Sequence, residues 1–187
     1  FYAELWRSLN TRGHWDGEVW NRRKSGEVYP QLLTISAVRD ERADTVHFVA
    51  LFSDISKIKD HERQLEHIAH YDALTSLPNR VLLADRLRQA MAQCVRHGRL
   101  LAVAYLDLDG FKAINDQHGH AVGDRFLAGL AVRLRGVLRD GDTLARLGGD
   151  EFAAVLLDLG SVDDSATILN RLVGAAAEPV KVDALLL

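Results

Sequence analysis

Acidic residues at the ends of apolar runs are where this sequence could do chemistry. The run 100–106 ends in Asp107-Leu108-Asp109-Gly110, and the runs 143–147 and 152–157 are joined by Gly148-Gly149-Asp150-Glu151. A nearly continuous apolar run reads as a buried central strand delivering its acids at one end. Two runs joined by a glycine-rich acidic turn read as a β-hairpin, whose glycines leave an approaching ligand unobstructed. If the hairpin lies beside the strand, Asp107 and Asp150 converge. Carboxylates about 4 Å apart repel by roughly 4 kcal/mol at an effective dielectric near 20, and a divalent cation removes that penalty. A few hard oxygen ligands on open strand ends suit Mg²⁺ that keeps some waters and shares a nucleotide's phosphates. Solvated strand-end acids are the plainer reading.

Helices must hold those strands in place. From 79 to 97 the apolar positions Leu83, Leu87, Met91 and Cys94 recur at helical spacing, with Pro78 and Asn79 as start signals and Met91 and Cys94 as core fillers. Residues 110–117 form a short helix broken by Gly119, and Val122, Phe126, Leu130, Leu134 and Val137 mark a longer one. After the hairpin comes a last helix at 162–176. The order helix, strand, two helices, hairpin, helix is an α/β (α+β) pattern with an antiparallel pair in the sheet.

The first 54 residues differ in texture and hold all three tryptophans, Trp6, Trp15 and Trp20. A short helix at 1–9 precedes candidate strands at 17–23, 29–38 and 45–53, with a turn at Lys24-Ser25-Gly26-Glu27 and a polar loop at 39–44. Both faces of the third strand carry apolar side chains, so it needs cover on both sides. Residues 55–71 form a charged linking helix, in which Ile58, Leu65 and Ile68 suit a short parallel coiled coil with a second copy, although His61 weakens the seam.

Composition narrows the classes. A net charge of −3 advertises no field for nucleic acid. Cys94, the only cysteine, excludes an internal disulfide and fits a reducing cytosol. No apolar run reaches the roughly 18–20 residues needed to cross a bilayer, and no signal-peptide pattern opens the chain. The expected location is cytoplasmic, with a larger parent still able to be membrane-anchored.

Gly148-Gly149-Asp150-Glu151-Phe152 resembles the signature of the GGDEF family, the diguanylate cyclases. The likeness extends to Asp72-Ala73-Leu74-Thr75-Ser76-Leu77-Pro78-Asn79-Arg80, to Asp107-Leu108-Asp109-Gly110-Phe111-Lys112, to Asn115-Asp116 and to Gly119-His120-Ala121-Val122-Gly123-Asp124, in family order and spacing. It covers 72–187 and implies a nucleotide-cyclase or palm-like fold lacking the family's final strand and helix, that strand being one that pairs with the central strand. Ser76 stands where the family commonly has glycine, with little effect expected. Residues 1–54 resemble the C-terminal half of a PAS sensor domain, on Trp15-Asp16-Gly17-Glu18-Val19-Trp20-Asn21-Arg22-Arg23-Lys24 and Phe52-Ser53-Asp54-Ile55-Ser56. The half that holds much of the PAS pocket is absent, so its ligand is unspecified.

The resemblance implies roles. Asp107 through its side chain, Leu108 through its carbonyl and Asp150 would bind Mg²⁺, or Mn²⁺ in its place. Asp150 would help deprotonate a 3′-hydroxyl, with Glu151 supporting the metals. Asn115, His120 and Asp124 would meet guanine and ribose of GTP, Lys112 a phosphate, and Gly148 and Gly149 would let phosphate approach the backbone. Asp109 is turned away by strand alternation. Arg139 and Asp142 match an inhibitory RxxD site for the product, although an arginine in a helix's last turn before Asp-Gly is also ordinary helix termination. The implied reaction condenses two GTP into cyclic di-GMP in a homodimer. The alternative is a regulatory GTP-binding or pairing module of a larger protein with a downstream EAL phosphodiesterase domain.

Overall fold

The structure is a computed structural model that describes residues 1–40 and 45–187. Two compact units divide it, residues 1–65 and 66–187.

In the first unit, helix α1 (Tyr2–Arg12) ends on Gly13, whose left-handed conformation closes the helix. Strands β1 (His14–Arg22), β2 (Val28–Arg39) and β3 (Thr45–Asp54) form an antiparallel sheet in that order. Residues 41–44 of the expected polar loop lie outside the described residues. Leu5 and Leu9 of α1 are buried, and the sheet supplies half-buried Trp15, Val19, Leu33 and Ile35 from one face. Phe48, Leu51 and Phe52 of β3 stay exposed. At the end of β3, Asp54 accepts from the Ser56 N–H at 2.9 Å and pairs with Arg23. Hydrogen bonds from Ser56 and then from Arg23 hold its carboxyl down at about 2. Helix α2 (Ser56–His70) follows and crosses the boundary between the units; it buries no residue, and Ile58, Leu65 and Ile68 are exposed.

The second unit is organised on one strand. β4 (Leu100–Leu106), β5 (Thr143–Gly148) and β6 (Glu151–Leu159) pair antiparallel in the order β4-β6-β5. Residues 152–156 of β6 are all buried. By strand alternation Phe152, Ala154 and Leu156 face one side and Ala153 and Val155 the other. On the first side lie α5 (His120–Val137), through Phe126, Leu127, Leu130 and Leu134, and Leu172 of α6 (Val162–Ala177). On the second lies α3 (Arg80–His97), through Leu83 and Ala90. Burying side chains of this size stabilises by about 1.5–3 kcal/mol each, which makes β6 the strand most of the core depends on. Helix α4 (Phe111–His118) leans on α5, with Phe111 and Phe126 stacked at 6.1 Å. A two-stranded ribbon, β7 (Lys181–Val182) and β8 (Leu185–Leu186), completes the unit.

Two sequence expectations need correction. The apolar run of β4 is an edge strand here, with Tyr105 78% exposed, because among the described residues β6 is its one pairing partner; the central buried strand is β6. Met91 is 53% exposed and is not a core filler; Ala90, one residue earlier, takes the buried position on α3.

The loop from α2 to α3 is closed by backbone pairing: a Tyr71–Pro78 bridge, Asp72 N–H to Leu77 C=O at 2.8 Å and Asn79 N–H to His70 C=O at 2.9 Å. Asn79 works in both directions. Its Nδ2 donates to the Ala69 carbonyl at 2.9 Å, and its Oδ1 accepts from the Val81 and Leu82 N–H groups at the start of α3. At the loop's apex Ser76 has φ of 56°, a left-handed conformation that strains a residue with a Cβ. Ser76→Gly is therefore expected to raise stability by about 0.5–1 kcal/mol, visible as a higher urea midpoint at unchanged slope.

Candidate active site

The β5–β6 turn can form because Gly148 and Gly149 adopt φ of 143° and 54°, values that side chains disfavour. It carries Asp150 in the turn and Glu151 at the first position of β6. Register aligns this end with β4: Leu106 faces Phe152, so Asp107 comes opposite Glu151 one step further on. Asp107 and Glu151 line one cleft of about 470 Å³ together with Arg80, Tyr105 and Leu147. The sequence paired Asp107 with Asp150; the strand register sets Asp107 across from Glu151, with Asp150 adjacent along the chain. Asp107, Asp109 and Glu151 are exposed and Asp150 is half-buried.

Among the described residues no group of three His, Cys, Asp or Glu side chains is placed to hold a metal ion. Two carboxylates, Asp107 and Glu151, line the cleft, with Asp150 and the Leu108 carbonyl next to them along the chain. Such a partial, hard set fits Mg²⁺, which retains waters and takes its remaining ligands from phosphate, better than a metal that demands a full protein cage.

Arg146 fixes the turn, and it was given no role by the sequence. Its Nε and Nη2 donate to the Gly149 carbonyl at 3.0 and 2.7 Å, while Nη1 donates to Asp72 Oδ1 at 2.9 Å. Its own N–H donates to the Pro78 carbonyl at 3.0 Å. A planar guanidinium can serve these acceptors at once, where a lysine would offer a point charge. In a trans peptide the N–H points opposite the C=O, so pinning the Gly149 carbonyl toward Arg146 directs the Asp150 N–H away from it. Asp72 Oδ1 also accepts from the Thr75 N–H and hydroxyl at 2.9 and 2.7 Å. Burial pushes the Asp72 carboxyl up, but the Thr75 and Arg146 hydrogen bonds outweigh it and hold it below the usual carboxylate range. The signals that reveal this pair are an arginine inside an apolar strand two residues before the glycines, and the Asp-x-x-Thr spacing of a side-chain-closed turn.

Asn115 is on α4 and Asp124 on α5, helices packed against one another, with His120 at the first position of α5. Asn115 is half-buried, and its Oδ1 is buried with no hydrogen-bond partner. Asp124, His120 and Lys112 are exposed.

Arg139 and Asp142 lie elsewhere, between the end of α5 and the start of β5. Asp142 is 2% exposed; its Oδ1 accepts from the Leu157 N–H at 3.0 Å, and Arg139 donates to the Leu157 carbonyl. Asp142 thereby extends the β5–β6 ladder by one side-chain rung. Its Oδ2 has no hydrogen-bond partner and is 3.5 Å from Arg139 Nε, an ion pair too long to count as a firm hydrogen bond.

A three-stranded antiparallel sheet with helices on both faces and acids at the hairpin end defines a mixed helix–strand domain of the palm-like kind. Residues 69–186 match the model of the diguanylate cyclase GGDEF domain, and the chain belongs to that family. It is 44% identical over 126 residues to the diguanylate cyclase TpbB of Pseudomonas aeruginosa, an alignment covering 67% of this chain and 29% of that protein. The bifunctional diguanylate cyclase/cyclic di-GMP phosphodiesterase MucR of the same species is 48% identical over 120 residues, covering 64% and 17%. The crystallised GGDEF domain of TpbB superposes with a TM-score of 0.60 at 44% identity, over 63% of this chain and 69% of that one. The coiled coil and GGDEF domain of DgcB from Caulobacter crescentus, in complex with c-di-GMP, gives 0.61 at 29% identity, over 71% and 69%. The chain thus spans less than a third of the length of these curated relatives.

Because the Asp72 carboxyl is depressed in the folded protein, its stabilisation is complete above its ordinary value of about 3.9 and is lost as pH falls through the lower folded value. Asp72→Asn is expected to remove about 1.5–3 kcal/mol at pH 7, the worth of a charge-assisted hydrogen bond. It should also flatten the loss of stability below about pH 4. Urea midpoints across pH 2–7 check both.

Proposed function

We propose that this chain is the catalytic part of a diguanylate cyclase, joining two GTP molecules into cyclic di-GMP with release of two pyrophosphates. The observation that carries the reading is the meeting of Asp107 and Glu151 in one cleft, beside Asp150 on a turn held by Arg146, inside a domain of the GGDEF family. Asp107, the Leu108 carbonyl and Asp150 would hold Mg²⁺, with Glu151 supporting it. When bound, the ion offsets negative charge gathering on the phosphates. Asn115 and Asp124 orient the guanine, with His120 at the ribose side and Lys112 toward phosphate. Asp150 accepts the proton of the 3′-hydroxyl as its oxygen bonds to the α-phosphorus of the second GTP; the bond from that phosphorus to pyrophosphate breaks, and the pair of electrons leaves with pyrophosphate. The same step in the opposite direction closes the ring.

One GTP per domain requires two domains face to face, so activity depends on pairing. The exposed Ile58, Leu65 and Ile68 of α2 support a parallel helix pair as the means, under control of the N-terminal sheet read as a partial PAS sensor. Product restraint at Arg139 and Asp142 is part of this reading, supported by their Arg-x-x-Asp spacing and their ion pair before β5. A second reading, a regulatory GTP-binding or pairing module beside an EAL phosphodiesterase domain in the parent chain, is supported by 40% identity over 138 residues to the cyclic di-GMP phosphodiesterase NbdA of Pseudomonas aeruginosa.

Full-length protein incubated with GTP and Mg²⁺ should form cyclic dinucleotide at a rate rising faster than linearly with protein concentration. Asp107→Asn and Asp150→Ala should each lower that rate at least about 100-fold, since each removes several kcal/mol of charge stabilisation. GTP bound by a folded dimer without any product would favour the regulatory module.

A further inference from the structure

Gly123 occupies the first turn of α5, next to Asp124, and is buried. A glycine inside a helix is less favourable than alanine, and its backbone here is ordinary helix, so left-handed freedom does not explain it. Space does. A Cβ built on Gly123 would lie 1.9 Å from Asn115 Oδ1, 3.0 Å from its Cγ and 3.3 Å from Phe111 Cζ. The amide of Asn115 fills the volume that any other residue at 123 would claim. That amide oxygen has no hydrogen-bond partner, so shape, and not a protein donor, sets its orientation.

Phe111, one turn before Asn115 on α4, stacks on Phe126 of α5 and fixes the separation of the two helices. Retreat of α4 to make room for a side chain would break that stack. The Asn115 side chain is the part able to move, and its movement would change the spacing between amide and the neighbouring Asp124.

We propose that Gly123 is a specificity-determining positioning residue: by lacking a side chain it seats the Asn115 amide against α5, and so sets the slot that selects guanine over adenine. This rests on the reading of Asn115 as a base contact. Guanine presents an N1–H and an exocyclic amine that the Asp124 carboxylate can accept, and beside them a carbonyl oxygen that the Asn115 Nδ2 can meet when the amide oxygen is seated inward against Gly123; adenine lacks both donors there and carries an amine in place of that carbonyl. A displaced amide removes one half of that readout and leaves contacts to ribose and phosphate untouched.

The test measures binding of 3′-deoxy-GTP and 3′-deoxy-ATP, which cannot react, to full-length wild type, Gly123→Ala, Asn115→Ala and the double variant, together with their melting temperatures. The expected result is a melting temperature for Gly123→Ala no lower than wild type by more than a few degrees. Its affinity for the guanine nucleotide should fall at least 10-fold, that for the adenine nucleotide less than 2-fold, and the double variant should bind as Asn115→Ala does. Equal loss for both nucleotides, additive losses in the double variant, or unchanged guanine binding in Gly123→Ala overturns the proposal while leaving the cyclase reading intact. Should Gly123→Ala fail to fold, recovery of folding in the double variant supports the clash, and its absence overturns it. Unchanged guanine binding in Asn115→Ala would instead remove the base-site reading on which the proposal stands.

Discussion

A single guanidinium links the loop that opens the second unit to the turn that carries its acids. Arg146 spans from Asp72, in the loop that opens the unit, to the Gly149 carbonyl, in the turn that carries the acids. Without it, a glycine pair at a hairpin tip would leave the turn many conformations, because glycine loses more freedom on folding than any other residue. The arginine is only 11% exposed as a side chain, so its charge requires the Asp72 carboxylate, and Asp72 in turn is held by Thr75. Acid placement at the site therefore depends on residues some 70 positions earlier in the chain.

Much of the second unit was legible because its signals are periodic. The long helices at 80–97, 120–137 and 162–177 and the hairpin at 143–159 follow from spacing and turn chemistry, which local sequence records directly. What periodicity does not record is sheet order. β4 and β6 are both apolar runs, and the choice between edge and centre depends on partners distant in sequence, so β4 was taken for the centre. Met91 and Ala90 show the same limit on a smaller scale: the stripe was found, but a small side chain at the tight contact with β6 outranked the larger one beside it. That Asp107 and Glu151 stand at strand ends was legible from the apolar runs beside them, and the cleft they line is where those ends meet. Arg146, Asp72 and Gly123 were not legible in that way, since their importance is in what they touch or in the room they leave.

Arg139 and Asp142 hold the join between α5 and β5. Their hydrogen bonds to the two backbone groups of Leu157 continue the β5–β6 pairing beyond its last residue, which is a structural task. The Asp142 carboxylate is buried, and the charge that accompanies it is Arg139, 3.5 Å away. In the first unit, by contrast, the polar arrangement at the end of β3 is nearly self-contained: Asp54 both starts α2 and pairs with Arg23, so the exit from the sheet and the entry to the helix share one side chain.

Asn79 closes the join between α2 and α3. One planar amide grips a carbonyl of the last turn of α2 with its nitrogen and two N–H groups of the first turn of α3 with its oxygen. The end of one helix and the start of the next thus share a single side chain, so its loss would free a backbone group on each at once.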